Sequence, residues 1–224
     1  MTGRVRRSPA EQRDERRPAI VDAARRVLAR GGFERATIAA IAREAGISAG
    51  TVYLYFTNRE DLLAEVYRYA SSHEVAAMTS AALGDTPVHQ FHAAAATFVE
   101  RAFLGRRLAY ALIAEPADRV VTRERNRARR EFGAVFTEII AAGVADGSFP
   151  PQNAHIRGAA VIGAINEAAV EALDPATDVE PSDELVADIV AAACATVGIP
   201  APTRSATCRR PRHPSPPERA APRS

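Results

Sequence analysis

Three features of this 224-residue sequence predict an all-α fold. Apolar residues recur at i, i+3, i+4 and i+7 in one segment after another between Ile20 and Val197, which places them on one face of a helix. Stretches rich in Gly, Pro, Asp and Ser separate those segments, and no run alternates apolar and polar residues as a half-buried strand does. The composition, 47% hydrophobic and 25% charged, is that of an ordinary globular chain. No apolar run approaches the ~18 residues of a membrane helix; the densest, residues 158–165, ends at Asn166 and Glu167. The basic amino end has no apolar stretch behind it before Glu11 and Arg13, so neither a signal peptide nor a membrane partner is expected, and the expected location is cytoplasmic. Two cysteines, Cys194 and Cys208, make no disulfide framework.

Taken in order, residues 1–13 are polar and basic without periodicity and read as a disordered arm. A first helix begins near Arg16 and carries Ile20, Ala24, Val27 and Leu28, with Pro18 in its first turn and Gly31-Gly32 after its last periodic residue. Ile38, Ile41, Ala42 and Ala45 form a second stripe, capped by Thr37 and stopped at Gly46. Ser48 caps a short third helix bearing Val52, Tyr53, Tyr55 and Phe56. Asn58 opens a fourth, with Glu60 and Asp61 at the positive end of its dipole and Leu62, Leu63, Val66 and Tyr67 as its apolar face. Further helical segments span residues 89–104, 106–114, 118–145, 153–173 and 182–197. From Pro200 onward Pro, Arg and Ser dominate, and residues 204–224 read as a disordered tail.

The formal net charge of +2 conceals an asymmetry. Residues 1–68 hold 13 Arg against 9 Asp and Glu, residues 69–203 hold 10 against 17, and residues 204–224 hold 6 against 1. All 29 basic residues are Arg, which coding bias explains, but their uneven distribution points to a polyanion partner for the head.

Residues 37–56 read as helix, tight glycine turn, helix: Gly46 supplies the left-handed turn, and Ile41, Ala45, Ile47 and Val52 form the core that fixes the two helices at a steep angle. Such a unit turns its second helix outward. Ser48, Ala49, Gly50, Thr51, Tyr53 and Tyr55 then face out, small or hydroxyl-bearing where a helix end approaches base edges in the major groove. Arg59 and the start of the fourth helix meet the flanking phosphates. The run over residues 16–70, with Gly31-Gly32-Phe33, Thr37, Ala45-Gly46-Ile47-Ser48, Gly50, Tyr53-Leu54-Tyr55-Phe56 and Arg59-Glu60-Asp61-Leu62, closely resembles the DNA-binding domain of TetR/AcrR-type regulators. The resemblance implies an all-α homodimer: residues 14–74 as the helix-turn-helix DNA-binding domain and residues 75–203 as a larger helical domain for effector binding and dimerisation. It also implies that Thr37 touches a phosphate, that Ala49, Gly50 and Thr51 face bases, and that Tyr53, Tyr55 and Arg59 hold the backbone of double-stranded DNA. Ala49 departs from the larger polar or basic residue common there and offers only an apolar contact, for example to a thymine methyl.

In the second part, residues 158–165 continue to Ala169 and Leu173 as a helix apolar nearly all round, which needs two partners. Gly158, Ile162, Ile165 and Ala169, with Val186, Ile189, Val190 and Ala193 of the final helix, are therefore assigned to a dimer interface, the alternative being a helix central to one subunit. Phe98, Tyr110, Phe132 and Phe136 line either an effector cavity or ordinary core, and Asn166, if buried, needs a polar partner that a small molecule would supply. The arginines of residues 123–131 read as a solvated face, with Arg127 and Glu131 paired at i, i+4. His89 and His92 lack further ligands at metal-binding spacing, and neither a metal nor another cofactor is expected. The reading is a nucleoid-associated transcriptional regulator, a ligand-released repressor on a pseudo-palindromic operator. Its rivals are a helical protein-binding adaptor without operator preference and an all-α enzyme, for which no catalytic constellation is apparent.

Overall fold

The computed structural model describes residues 9–202. Among the described residues there are nine helices and no strand: α1 (Pro9–Arg35), α2 (Ile38–Ala45), α3 (Ala49–Tyr53), α4 (Arg59–Ala81), α5 (Pro87–Leu104), α6 (Arg106–Ile113), α7 (Arg119–Asp146), α8 (Ala154–Leu173) and α9 (Asp183–Val197). Seven of them start on a side chain that accepts from the first-turn amides: Thr37, Ser48, Asn58, Thr86, Asp118, Asn153 and Ser182. Each such cap satisfies donors a helix end leaves open and is worth about 1 kcal/mol.

The start of α1 and the course of α4 bear most on the sequence reading. Helix α1 starts at Pro9, so residues 9–13 of the supposed arm are helical; the stretch is composed of Ala, Glu, Gln and Arg, which favour helix behind an initial proline. Residues 1–8, with Arg4, Arg6 and Arg7, and the tail over residues 204–224 lie outside the described residues. Helix α4 runs on to Ala81, because no Gly or Pro interrupts the chain before Gly84. The boundary read at residues 74–75 therefore falls inside one continuous helix that joins the head to the body. The glycine stop of α1 is present as a kink: Gly32 has φ 65° and ψ −169°.

Helices α1 to α3 pack with the start of α4 around Ile20, Leu28, Ile41, Val52 and Leu62, all fully buried. The body packs α4, α7 and α8 in succession, with α5 and α9 against them. Its centre is aromatic, Phe91 lying 5.2 Å from Phe136 and 6.0 Å from Phe149 between ring centroids. Helices α7 and α8 meet at Gly133 and Gly158, where a methyl on Gly158 would stand 2.5 Å from the Gly133 carbonyl oxygen.

That crowding corrects the interface assignment. Gly158, Ile162, Ile165, Ala169, Val186, Ile189, Val190 and Ala193 are all buried within one chain, because α8 already has α5, α6, α7 and α9 as partners. The outward face of α8 is a different set, Ile156, Ala159, Ala160 and Gly163.

Candidate nucleic-acid interface and ligand cavity

The turn between α2 and α3 follows from local chemistry. Gly46 sits at φ 67° and closes α2, its amide donating to the Ala42 and Arg43 carbonyls. Two residues later Ser48 Oγ accepts from the Thr51 amide at 3.1 Å, and the Ser48 and Thr51 hydroxyls lie 2.9 Å apart. Val52 is fully buried, while Ser48, Ala49, Gly50 and Tyr53 are exposed. Helix α3 thus presents its amino end and one aromatic ring to solvent, anchored by a single valine. Thr37 is exposed, and its hydroxyl caps α2 by accepting from Ala40 at 3.2 Å.

The two tyrosines divide. Tyr53 is 57% exposed, and Leu54 beside it is 70% exposed. Tyr55 is half-buried and packs against the core, so its ring supports the domain instead of standing free for a phosphate.

Arg59 is corrected more strongly. Its Nε donates to the Ala36 carbonyl at 2.8 Å and a terminal nitrogen donates to the Phe33 carbonyl, so the guanidinium staples the start of α4 to the α1–α2 corner. Arg17 plays a matching part that the sequence reading missed. It donates to the Tyr55 carbonyl at 2.7 Å, pairs with Glu65 at 2.8 Å and covers the Phe56 ring at 4.4 Å. Much of the basic excess of the head is spent in this way, since Arg26 and Arg30 share Glu44, and Arg68 pairs with Glu65 and Glu124. The guanidiniums hold the Glu44 and Glu65 carboxyls below the usual glutamate range, hydrogen bonding from Arg26 and Arg17 respectively being the largest cause. Arg43, on the exposed face of α2, forms no ion pair among the described residues. Its signal in the sequence was its place in the last turn of α2, next to the turn into α3.

In the body, a cavity of about 110 Å³ lies between α4, α5 and α6. Phe98 and Phe132 line it, their rings 5.0 Å apart, together with Leu108, Leu112 and Tyr67. The other expected pocket residues are elsewhere. Phe136 is fully buried in the aromatic centre. Tyr110 donates its hydroxyl to Asp174 at 3.0 Å, and beside it Arg106 donates to the Asp174 and Val179 carbonyls, so the pair fastens the α8–α9 connection. Asn166 is buried but borders an outer groove between α7 and α8, its Oδ1 without a hydrogen-bond partner.

The cavity wall is tied to the head. The Tyr67 hydroxyl donates to the Leu112 carbonyl at 2.8 Å, and burial pushes its pKa up to about 12. Arg125 donates to the Leu112 and Glu115 carbonyls at 2.8 and 2.7 Å, closing the carboxyl end of α6. Within the arginine run it is therefore a helix cap rather than a solvated charge, whereas Arg127 does pair with Glu131 at 2.8 Å. Just past α6, Glu115 accepts the Phe33 amide at 2.9 Å and pairs with Arg107. That amide is freed by the kink at Gly32, where a Cβ would collide with the Glu115 carboxylate.

A short exposed helix set by a tight glycine turn, on a helical body with its own cavity, has the geometry of a helix-turn-helix unit. Residues 20–66 match the family described as bacterial regulatory proteins, tetR family. The fatty acid metabolism regulator protein of Bacillus subtilis is 43% identical over 49 residues, 22% of this chain and 25% of that protein. The uncharacterized HTH-type transcriptional regulator YfiR of the same organism is 28% identical over 151 residues, 63% of this chain and 71% of that protein. Among solved structures, FadR from Bacillus subtilis in complex with stearoyl-CoA superposes with a TM-score of 0.68 at 21% identity, covering 80% of this chain and 97% of that one. The tetR-family match lies in the helix-turn-helix segment, and the likeness to the solved structures is one of all-helical fold. Its alignment with the first of these relatives spans only a quarter of that protein. Among the described residues no helix is long and apolar enough to cross a membrane.

Proposed function

We propose that the chain is a transcriptional repressor that binds a pseudo-palindromic operator as a homodimer and is released by a small molecule. The observation that carries the reading is the exposed amino end of α3. Ser48, Ala49, Gly50, Thr51 and Tyr53 stand clear of the core, and no other short helix among the described residues is so presented. Ala49 and Gly50 allow close approach to base edges, the Thr51 hydroxyl reads a base or phosphate, and Tyr53 and Thr37 contact the backbone. Arg43 joins them as a phosphate contact, in the place first given to Arg59. The second copy docks on the outward face of α8, where Ile156 is 63% exposed and Ala159, Ala160 and Gly163 permit close helix approach. The groove bordered by Asn166 lies along the same face.

The effector enters the α4–α5–α6 cavity. The stearoyl-CoA held by the Bacillus subtilis FadR supports a ligand site in a body of this fold. Release requires that the ligand prefer a head spacing that no longer fits half-sites about one DNA turn (~34 Å) apart. Sequencing the genomic fragments retained by the purified full chain tests this. A shared inverted repeat is the expected result, and retention without sequence preference overturns the assignment.

A further inference from the structure

One ion pair lies on the lining of the α4–α5–α6 cavity. Arg101 on α5 grips Glu74 on α4 with two hydrogen bonds, Nε at 2.6 Å and a terminal nitrogen at 2.9 Å, and both residues border the cavity. Behind them the wall is apolar, and its two hydroxyls are already donating, Tyr67 to the Leu112 carbonyl and Ser71 to the Arg68 carbonyl. The interior therefore asks nothing polar of a ligand. Any charged head must sit beside the Arg101–Glu74 pair. There Arg101 presents the planar fork that matches a carboxylate, and Glu74 is the only carboxylate bordering the cavity among the described residues. Two more guanidiniums, Arg125 and Arg129, act on the Tyr67 phenol from behind, so the surrounding field favours an anion over a cation.

We propose that the cavity takes a monocarboxylate with a short apolar body, whose head replaces Glu74 on the fork of Arg101. The volume limits the body: an apolar cavity of about 150 Å³ admits benzene, and this one measures about 110 Å³. A straight chain of a few carbons fits, and a longer one must part Phe98 from Phe132. The exchange has a mechanical consequence, because Glu74 lies on the helix that begins in the reading head at Arg59. A ligand that takes Arg101 from Glu74 removes an ion pair that joins α4 to α5 in the act of binding.

The inference rests on the effector reading of this cavity given above. Its test is a thermal-shift titration of the full chain with butanoate, 1-butanol and butylamine at fixed pH and ionic strength, on wild type, Arg101→Gln and Glu74→Gln, each checked for native helicity. Butanoate alone is expected to raise the midpoint. Arg101→Gln should weaken it about tenfold or more through loss of a bidentate charged contact. Glu74→Gln should strengthen it, because the competing carboxylate is gone, and a merely structural ion pair would not produce that gain. Equal shifts with the alcohol, preference for the amine, an unchanged Arg101→Gln, or no shift with butanoate each overturn the carboxylate assignment. Recovery of an inverted repeat in the DNA-retention experiment would still leave the regulator reading standing in those cases.

Discussion

At Gly32 the backbone leaves helix α1 with φ 65° and ψ −169°, a conformation essentially reserved for glycine, and the Phe33 amide released there is taken by Glu115. Gly32→Ala adds both backbone strain and a collision with that carboxylate, and an expected loss of about 1–3 kcal/mol is read from the denaturant midpoint. Arg59 and Tyr53 make a contrasting pair. Arg59→Ala removes two charge-assisted bonds to carbonyls and should cost about 1.5–3 kcal/mol. Tyr53→Ala, at an exposed ring, should change stability by no more than about 0.5 kcal/mol while weakening DNA retention. Equal stability losses in the two variants would contradict their separation into staple and reader. The role of Arg59 was hidden in the sequence, as were those of Arg17, Arg106 and Arg125. Their carbonyl partners at Phe33, Tyr55, Asp174 and Leu112 are fixed by tertiary placement, and an arginine has the same composition whether it faces water or a helix end.

Helices α2 and α3 were legible because every determinant is local: the caps Thr37 and Ser48, the left-handed Gly46 and the apolar anchors Ile41 and Val52 lie within sixteen consecutive residues. The body helices were legible as elements for the same reason, through Asp118, Asn153 and Ser182 at their starts. What covers their apolar stripes was not. Periodicity shows that α8 buries Ile162 and Ile165 but not whether a neighbour in the same chain or a second copy does so, and here it is the same chain. Gly158 marks the difference physically, since its missing Cβ is what lets α7 approach. Gly158→Ala should therefore destabilise the folded monomer by about 1–3 kcal/mol through overpacking. Ile156→Glu, on the outward face, should leave unfolding unchanged and lower the apparent mass in sedimentation at micromolar concentration. A Gly158→Ala protein that unfolds as wild type would argue that α8 sits differently.

Across the whole molecule, head and body communicate through a continuous α4, through Glu115 on the Phe33 amide and through Tyr67 on the wall of the cavity. Acid should loosen the head. The Glu44 and Glu65 carboxyls are depressed in the folded state, so their stabilisation is complete above the unfolded value of 4.5 and is lost as pH falls below it. Melting of wild type between pH 6 and about 3 should show a decline that is smaller in Glu65→Gln, which no longer has a carboxyl to protonate. Folding, sensing and docking all serve one claim, that the exposed end of α3 reads DNA. Its most direct measurement is nuclease protection of a retained inverted-repeat fragment by wild type and by the Thr51→Val, Tyr53→Ala double variant, with unfolding midpoints taken alongside. Wild type should protect two patches about one helical turn (~34 Å) apart, and the variant should fold normally and protect neither. An unchanged footprint in the variant would contradict the account.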